Sequence, residues 1–331
     1  MAGDVNIFSM SSSDAGEAGN RFLNSVKRKL LGDKKKHQSS DYHMKVYDII
    51  KQIVCYNQGK ILEFNFELSN KHRIMRDVLT EYKGDSTDAN KQKLNDARSV
   101  LLNYIGIETV NISKVNIGFL KTYYKMRDIE NIPRCCIKTV SASKDRIVDN
   151  YRDHDAYKGE NMASSAIDEN TGFSQVLNTG VYYLENNIPE KAIAGYYKNP
   201  RLNNERVRRY KKSNRNGEGV DHEWVHCWDG QDPTDYKACY KSTLIIPMTL
   251  MNNNDLPSGF MDKIAKGHKS KRTNWGFVCL DSIKEGFFLD DIDVNIGYIV
   301  ADMLSMYYIK SYIYTDTSRT YNEATTFLRS K

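Results

Sequence analysis

The chain is poor in several features that would narrow its class. Its six cysteines, at positions 55, 135, 136, 227, 239 and 279 of 331 residues, form no C-x-x-C pair and lack the density of a disulfide scaffold, so free thiols are expected. No apolar run approaches the roughly 20 residues that a membrane-spanning helix needs, which argues against a membrane partner. The opening stretch MAGDVNIFSMSSSDAGEAGN has no basic segment followed by an apolar one, unlike a secretory signal, and a cytoplasmic protein is expected. There is no internal repeat and no recognisable kinase, cyclase, nuclease or DNA-binding motif. A formal net charge of +6 is modest for this length and does not by itself define a nucleic-acid binder.

What is present is enough to fold. A hydrophobic content of 40%, with 11% aromatic residues, supports a sizeable core, while a mean hydropathy of -0.63 indicates a polar surface. Residues 1–40, rich in Ser, Gly and Ala and then basic at KRKLLGDKKKHQSS, predict a disordered basic arm with a short helix around Phe22 to Leu31. From Asp41 the spacing turns helical. Val46, Ile49, Ile50, Ile53 and Val54 share a face, as do Leu94, Ala97, Val100 and Leu101, with Gly59 and Gly106 read as breaks. The run ILEFNFEL fits a strand or a helix, and its helical neighbours favour the helix. An all-helical region over 41–131 follows.

Pro133 marks a change of pattern. RCCIKTVSAS reads as a strand, and DENTGFSQVLNTG offers an Asx cap for a short helix carrying Phe173, Val176 and Leu177 that stops at Gly180. An apolar extended segment runs on to Pro189. ACYKSTLIIPMTL and NWGFVCLDS are two further strands, and a long helix begins at the acidic LDDID, with Ile296, Ile299, Val300, Met303, Leu304 and Tyr307 as its apolar stripe. The expected fold class is α+β, an antiparallel sheet flanked by helices behind an all-helical N-terminal region. The sheet domain spans 132–320, and 321–331 is a tail.

The segment GVDHEWVHCWDGQDP contains His222, Glu223 and His226 in the order His-Glu-x-x-His. That spacing makes a zinc hydrolase only on a helix, where both imidazoles share a face. Glycines at 217, 219 and 230 and a proline at 233 leave too few residues for a stable helix. An extended reading puts His222, Trp224, His226 and Trp228 on one face, opposite Glu223, Val225 and Cys227. This forms a stacking surface for a planar ring or, as the plainer reading, a strand packed on the core. A metal held by His222, His226 and Cys227 has no recognised spacing, and no residue is assigned a catalytic role.

Cations concentrate in two stretches read as insertions. KNPRLNNERVRRYKKSNRNG carries Lys198, Arg201, Arg206, Arg208, Arg209, Lys211, Lys212 and Arg215, and DKIAKGHKSKRTNW carries Lys263, Lys266, Lys269, Lys271 and Arg272. Guanidinium groups bind phosphates bidentately, and Tyr182, Tyr210 and Trp275 are close to these stretches in sequence, as a nucleotide or a single-stranded nucleic acid would require. Solvated loops are the plainer alternative.

The order of elements carries a resemblance. VLNTGVYYLENNI (176–188), the S-x-x-x-x-P of Ser242–Pro247, the strand from Gly276 to Leu280 and the F-x-x-x-D of Phe287–Asp291 resemble the motifs of a GAF domain over roughly residues 110–314. The N-K-x-D-E pattern of cyclic-nucleotide-binding members is not seen, so binding of cyclic nucleotides is not implied. The resemblance implies a sensor whose pocket takes a small, anionic, nucleotide-like ligand and signals through its helices, as a homodimer or through a partner effector protein. Arg208, Arg209, Tyr210, Trp228, Trp275, Tyr182 and Arg272 are the expected ligand-binding residues, and the cofactor is unknown. Two alternatives remain open. One is a pocket enzyme, either a metal-dependent hydrolase or a thiol-redox enzyme like the GAF-fold methionine sulfoxide reductases, with Cys227, Cys239 and Cys279 in the relevant portion. The other is a nucleic-acid-binding protein that uses the basic insertions.

Overall fold

A computed structural model describes residues 40–141, 145–153, 164–215, 222–229, 239–251 and 272–329. The basic arm and the 252–271 insertion lie outside these residues. The chain divides into two compact units, Met1–Leu101 and Leu102–Lys331. The division falls inside a helix rather than at Pro133.

In the first unit, α1 (Ser40–Gly84) is one continuous helix, followed after a short turn by the first part of α2 (Asp88–Arg127). Val46, Ile50, Ile53, Val54, Phe64, Leu68, Met75, Leu79 and Tyr82 are all buried, a stripe with steps of three and four that runs the length of α1. ILEFNFEL lies within it as helix. Gly59 and Gly106 do not break their helices. A mid-helix glycine costs only about 1 kcal/mol relative to alanine, which the apolar stripe on both sides of Gly59 outweighs.

The second unit is built on a six-stranded antiparallel sheet, β1 (Arg134–Val140), β2 (Arg146–Arg152), β3 (Ser164–Ala166), β4 (Tyr183–Glu185), β5 (Ser242–Met251) and β6 (Arg272–Ser282), in the order β3-β2-β1-β6-β5-β4. The terminal helix α7 (Asp290–Arg329) packs on one face against β5 and β6, and it continues through the stretch expected to be a tail. Leu244, Ile246, Val278 and Leu280 point to this face and are fully buried. Residues of α2 beyond Leu101 join the same layer. Thr109 and Ser113 hydroxyls meet those of Ser311 and Tyr308, each at 3.2 Å, and the Tyr123 hydroxyl donates to Asp293 at 2.7 Å. Arg127 completes that corner, ion-paired to the fully buried Asp293 and donating to the Phe287 carbonyl.

Short helices and loops cover the other face: α3 (Thr171–Thr179), α4 (Ile188–Ile193), α5 (Asn204–Arg215) and α6 (His222–Val225). The Asn170 side chain accepts from the Phe173 amide to cap α3, and Gly180 ends it in the left-handed region (φ 70°), as the sequence predicted. The extended reading up to Pro189 holds only for β4, because Pro189 begins α4. Two further expectations are corrected. The basic stretch read as a loop contains the twelve-residue helix α5, anchored by buried Val207, and His222–Val225 is one helical turn rather than a strand.

Candidate ligand pocket

The β1 strand alternates apolar and polar residues, and the ladder carries that alternation across the sheet. Cys135 and Ile137 are buried on the helix-covered face, while Arg134, Cys136 and Lys138 point to the other. Register then assembles three rows. Arg134 is level with Asp281 and Thr243; Arg152, Cys136, Cys279 and Ile245 are level with one another; and Asp149, Lys138 and Phe277 form the third row. A bulge in the β1–β2 ladder at Ile137/Lys138 lets Asp149 and Arg152, three residues apart, share one face. Lys138 and Arg152 both donate to Asp149.

Above these rows lies a cavity of about 280 Å³. Its roof is the chain from Tyr197 to Arg201, tied to α3 by hydrogen bonds in both directions between Lys198 and Thr171, together with Phe173, Trp228 and Tyr240. Tyr240 accepts from the Asn199 amide at 2.8 Å, and its ring stacks 4.7 Å from Trp228. Trp228 is 2% exposed, and its Nε1 has no acceptor among the described residues. A buried donor left in that state costs about 1–3 kcal/mol, which a bound acceptor would recover.

The electrostatics favour an anion. Arg134, Lys138, Arg152 and Arg201 border the cavity, against the carboxylates of Asp149, Asp153 and Asp281. Asp153 pairs with Lys121 at 3.0 Å. Burial pushes Asp281 upward despite Arg134 and a hydrogen bond from Thr243, favouring its neutral form. Burial acts to lower Lys138, but Cys136 and Asp149 outweigh it, and the ammonium is held charged above its ordinary range. Four cationic side chains thus face three carboxylates around the cavity.

Among the residues expected to bind ligand, the cavity brings in Trp228 alone. Arg208 and Arg209 are exposed on α5, with Arg209 paired to Glu205 at 2.7 Å. Tyr210 packs on Trp224, with ring centroids 5.6 Å apart. Tyr182 and Trp275 belong to the helix-covered side of the unit, where Tyr182 donates to Asp290 at 2.6 Å and Trp275 contacts Tyr312. The side chains of Arg272 and His222 lie outside the described residues. His226 is exposed and Cys227 is buried in the core, while Trp224 and Trp228, four residues apart, both turn inward. Among the described residues no three His, Cys, Asp or Glu side chains converge as metal ligands, and no helix is long and apolar enough to cross a membrane.

Sequence reasoning missed Arg134, Cys136, Lys138, Asp149, Arg152 and Asp281. The signal was present in RCCIKTV, where every second residue of a strand is polar or charged. The chain matches no protein-family model, no curated protein and no solved structure.

Proposed function

We propose that this protein is a GAF-like sensor whose pocket takes a small anionic ligand with a planar or apolar body, and that it signals through the helices on the far side of the sheet. The observation that carries this reading is a cavity bordered by four cations against three carboxylates, with Trp228, whose Nε1 has no acceptor among the described residues, in its wall. Phe173, Trp228 and Tyr240 supply ring surfaces beside those cations, the pairing that suits a charged head on a flat body. At about 280 Å³ the cavity sits at the low end of the roughly 300–1,000 Å³ typical of ligand pockets, so the ligand is a compact acid or at most a mononucleotide fragment. The ligand-facing strands β5 and β6 carry α7 on their other side, giving a direct route from pocket to helix.

The test is thermal denaturation of the full chain with benzoate, phenyl phosphate and nucleoside monophosphates. A ligand present at 100 times its Kd adds about 2.7 kcal/mol, a rise in Tm of roughly 5–10 °C for a unit of this size. Lys138→Met is expected to abolish the rise, while the double change Arg208→Ala and Arg209→Ala leaves it intact. The reading is overturned if none of these anions raises Tm, or if the Lys138 variant responds as the wild type does.

A further inference from the structure

Cys136 and Cys279 face each other directly across the central β1–β6 ladder. Their thiols hydrogen-bond one another, and both border the cavity, Cys136 half-buried and Cys279 3% exposed. Residues directly opposed in an antiparallel pair have Cα atoms about 4.5–5.5 Å apart, inside the roughly 4.4–6.8 Å that a disulfide spans. We propose that this pair is a redox site, in which a small hydroperoxide entering the cavity oxidises Cys136 and Cys279 to an interstrand disulfide.

The other thiols lack this setting. Cys135, next in sequence, turns to the opposite face, where its Sγ lies 3.6 Å from the Pro133 carbonyl and burial pushes its pKa up. Cys227 and Cys239 are buried in the apolar core, and Cys55 belongs to α1 of the other unit. At Cys136 the hydrogen bond from Cys279, helped by Lys138 and Arg152, outweighs burial and lowers the pKa, while burial raises Cys279. Exposure assigns the roles: the half-buried Cys136 meets the peroxide and is the nucleophile, and Cys279, 3% exposed and level with it, resolves.

The Cys136 thiolate attacks one peroxide oxygen and the O–O bond breaks. The alkoxide, or hydroxide from hydrogen peroxide, takes up the proton that Cys136 released on ionising and leaves as alcohol or water, and Cys136 becomes a sulfenic acid. The Cys279 sulfur then attacks the Cys136 sulfur and expels hydroxide, which departs as water with the proton of Cys279. Two thiols and one hydroperoxide give one disulfide, one alcohol and one water, with two electrons passing from sulfur to peroxide. The new bond pins the two central strands together.

The inference rests on the cavity's geometry and not on the identity of its ligand, so it is tested without one. Wild-type full chain is treated with equimolar hydrogen peroxide, blocked with N-ethylmaleimide in denaturant, digested with trypsin and analysed by mass spectrometry. The expected product is peptide 135–138, alkylated on Cys135, linked to peptide 273–284, two hydrogens lighter than the sum of those two and separated by dithiothreitol. It should form before Cys55 is modified, persist in Cys135→Ser and vanish in Cys136→Ser. Alkylation of both Cys136 and Cys279 after peroxide treatment of the wild type overturns the proposal. So does a link that survives in Cys136→Ser, or oxidation of Cys136 beyond the sulfenic acid without a link.

Discussion

Leu280 and Asp281 are consecutive residues of β6, and the sheet sends them to opposite environments. Leu280 is fully buried beneath α7 with the equally buried Leu244, Ile246 and Val278. Asp281 lies on the other side with Arg134, Thr243, Cys136 and Lys138, in a row of charges that no ordinary core would hold. One face of the same strands supplies stability and the other keeps costly groups poised around a cavity. A sheet can do both because its side chains alternate.

The contrast is sharpest in the response to truncation. Leu280→Ala removes side-chain volume from the closed face and should destabilise the second unit by about 2–5 kcal/mol, measured by urea denaturation followed by circular dichroism. A loss below 1 kcal/mol would mean that the two faces are not energetically distinct. Asn170→Ala, at the rim of the cavity, deletes the α3 cap and should cost about 1 kcal/mol in the same measurement.

The smallest effect is one of pH. Asp281 has a raised pKa in the fold, so the native state holds its proton to higher pH than the unfolded chain does. Stability then falls as pH rises through the interval just above the ordinary carboxyl range, and the penalty is complete once the native carboxyl is ionised. Asp281→Asn should flatten that fall, making the variant gain on the wild type between acid and neutral pH. An unchanged pH profile would show that Asp281 is not a strained carboxyl.

Where backbone preference and burial agreed, the sequence could be read. β1, β5, β6, the capped α3 and α7 follow from apolar periodicity, Asn170 and Gly180. RIVDNYR was passed over as β2 because its inward residues Asp149 and Arg152 are charged, and a charge on a central strand looks like surface until the register places an opposite charge beside it. The helix in NERVRRYKKSNR was missed because Val207 and Tyr210 are the only apolar residues in it, set among cations. The same confusion misdirected the search for the site. Cations beside aromatics in the basic stretch suggested ligand contacts at Arg208 and Arg209, whereas the cations that border the cavity include Arg134, Lys138 and Arg152, spread over two strands that only pairing brings together. Trp228 was named from a strand-like alternation over His222–Trp228 that a helical turn replaces, and it borders the cavity all the same.

Gly297 sits on α7 where the helix crosses β5, and a Cβ there would lie 1.9 Å from the Ile246 Cδ1. The missing side chain makes a notch into which the isoleucine fits. Rolling α7 about its axis would drive Ile296 or Tyr298 against that tooth, and sliding it would carry the notch off the tooth, so the contact resists both.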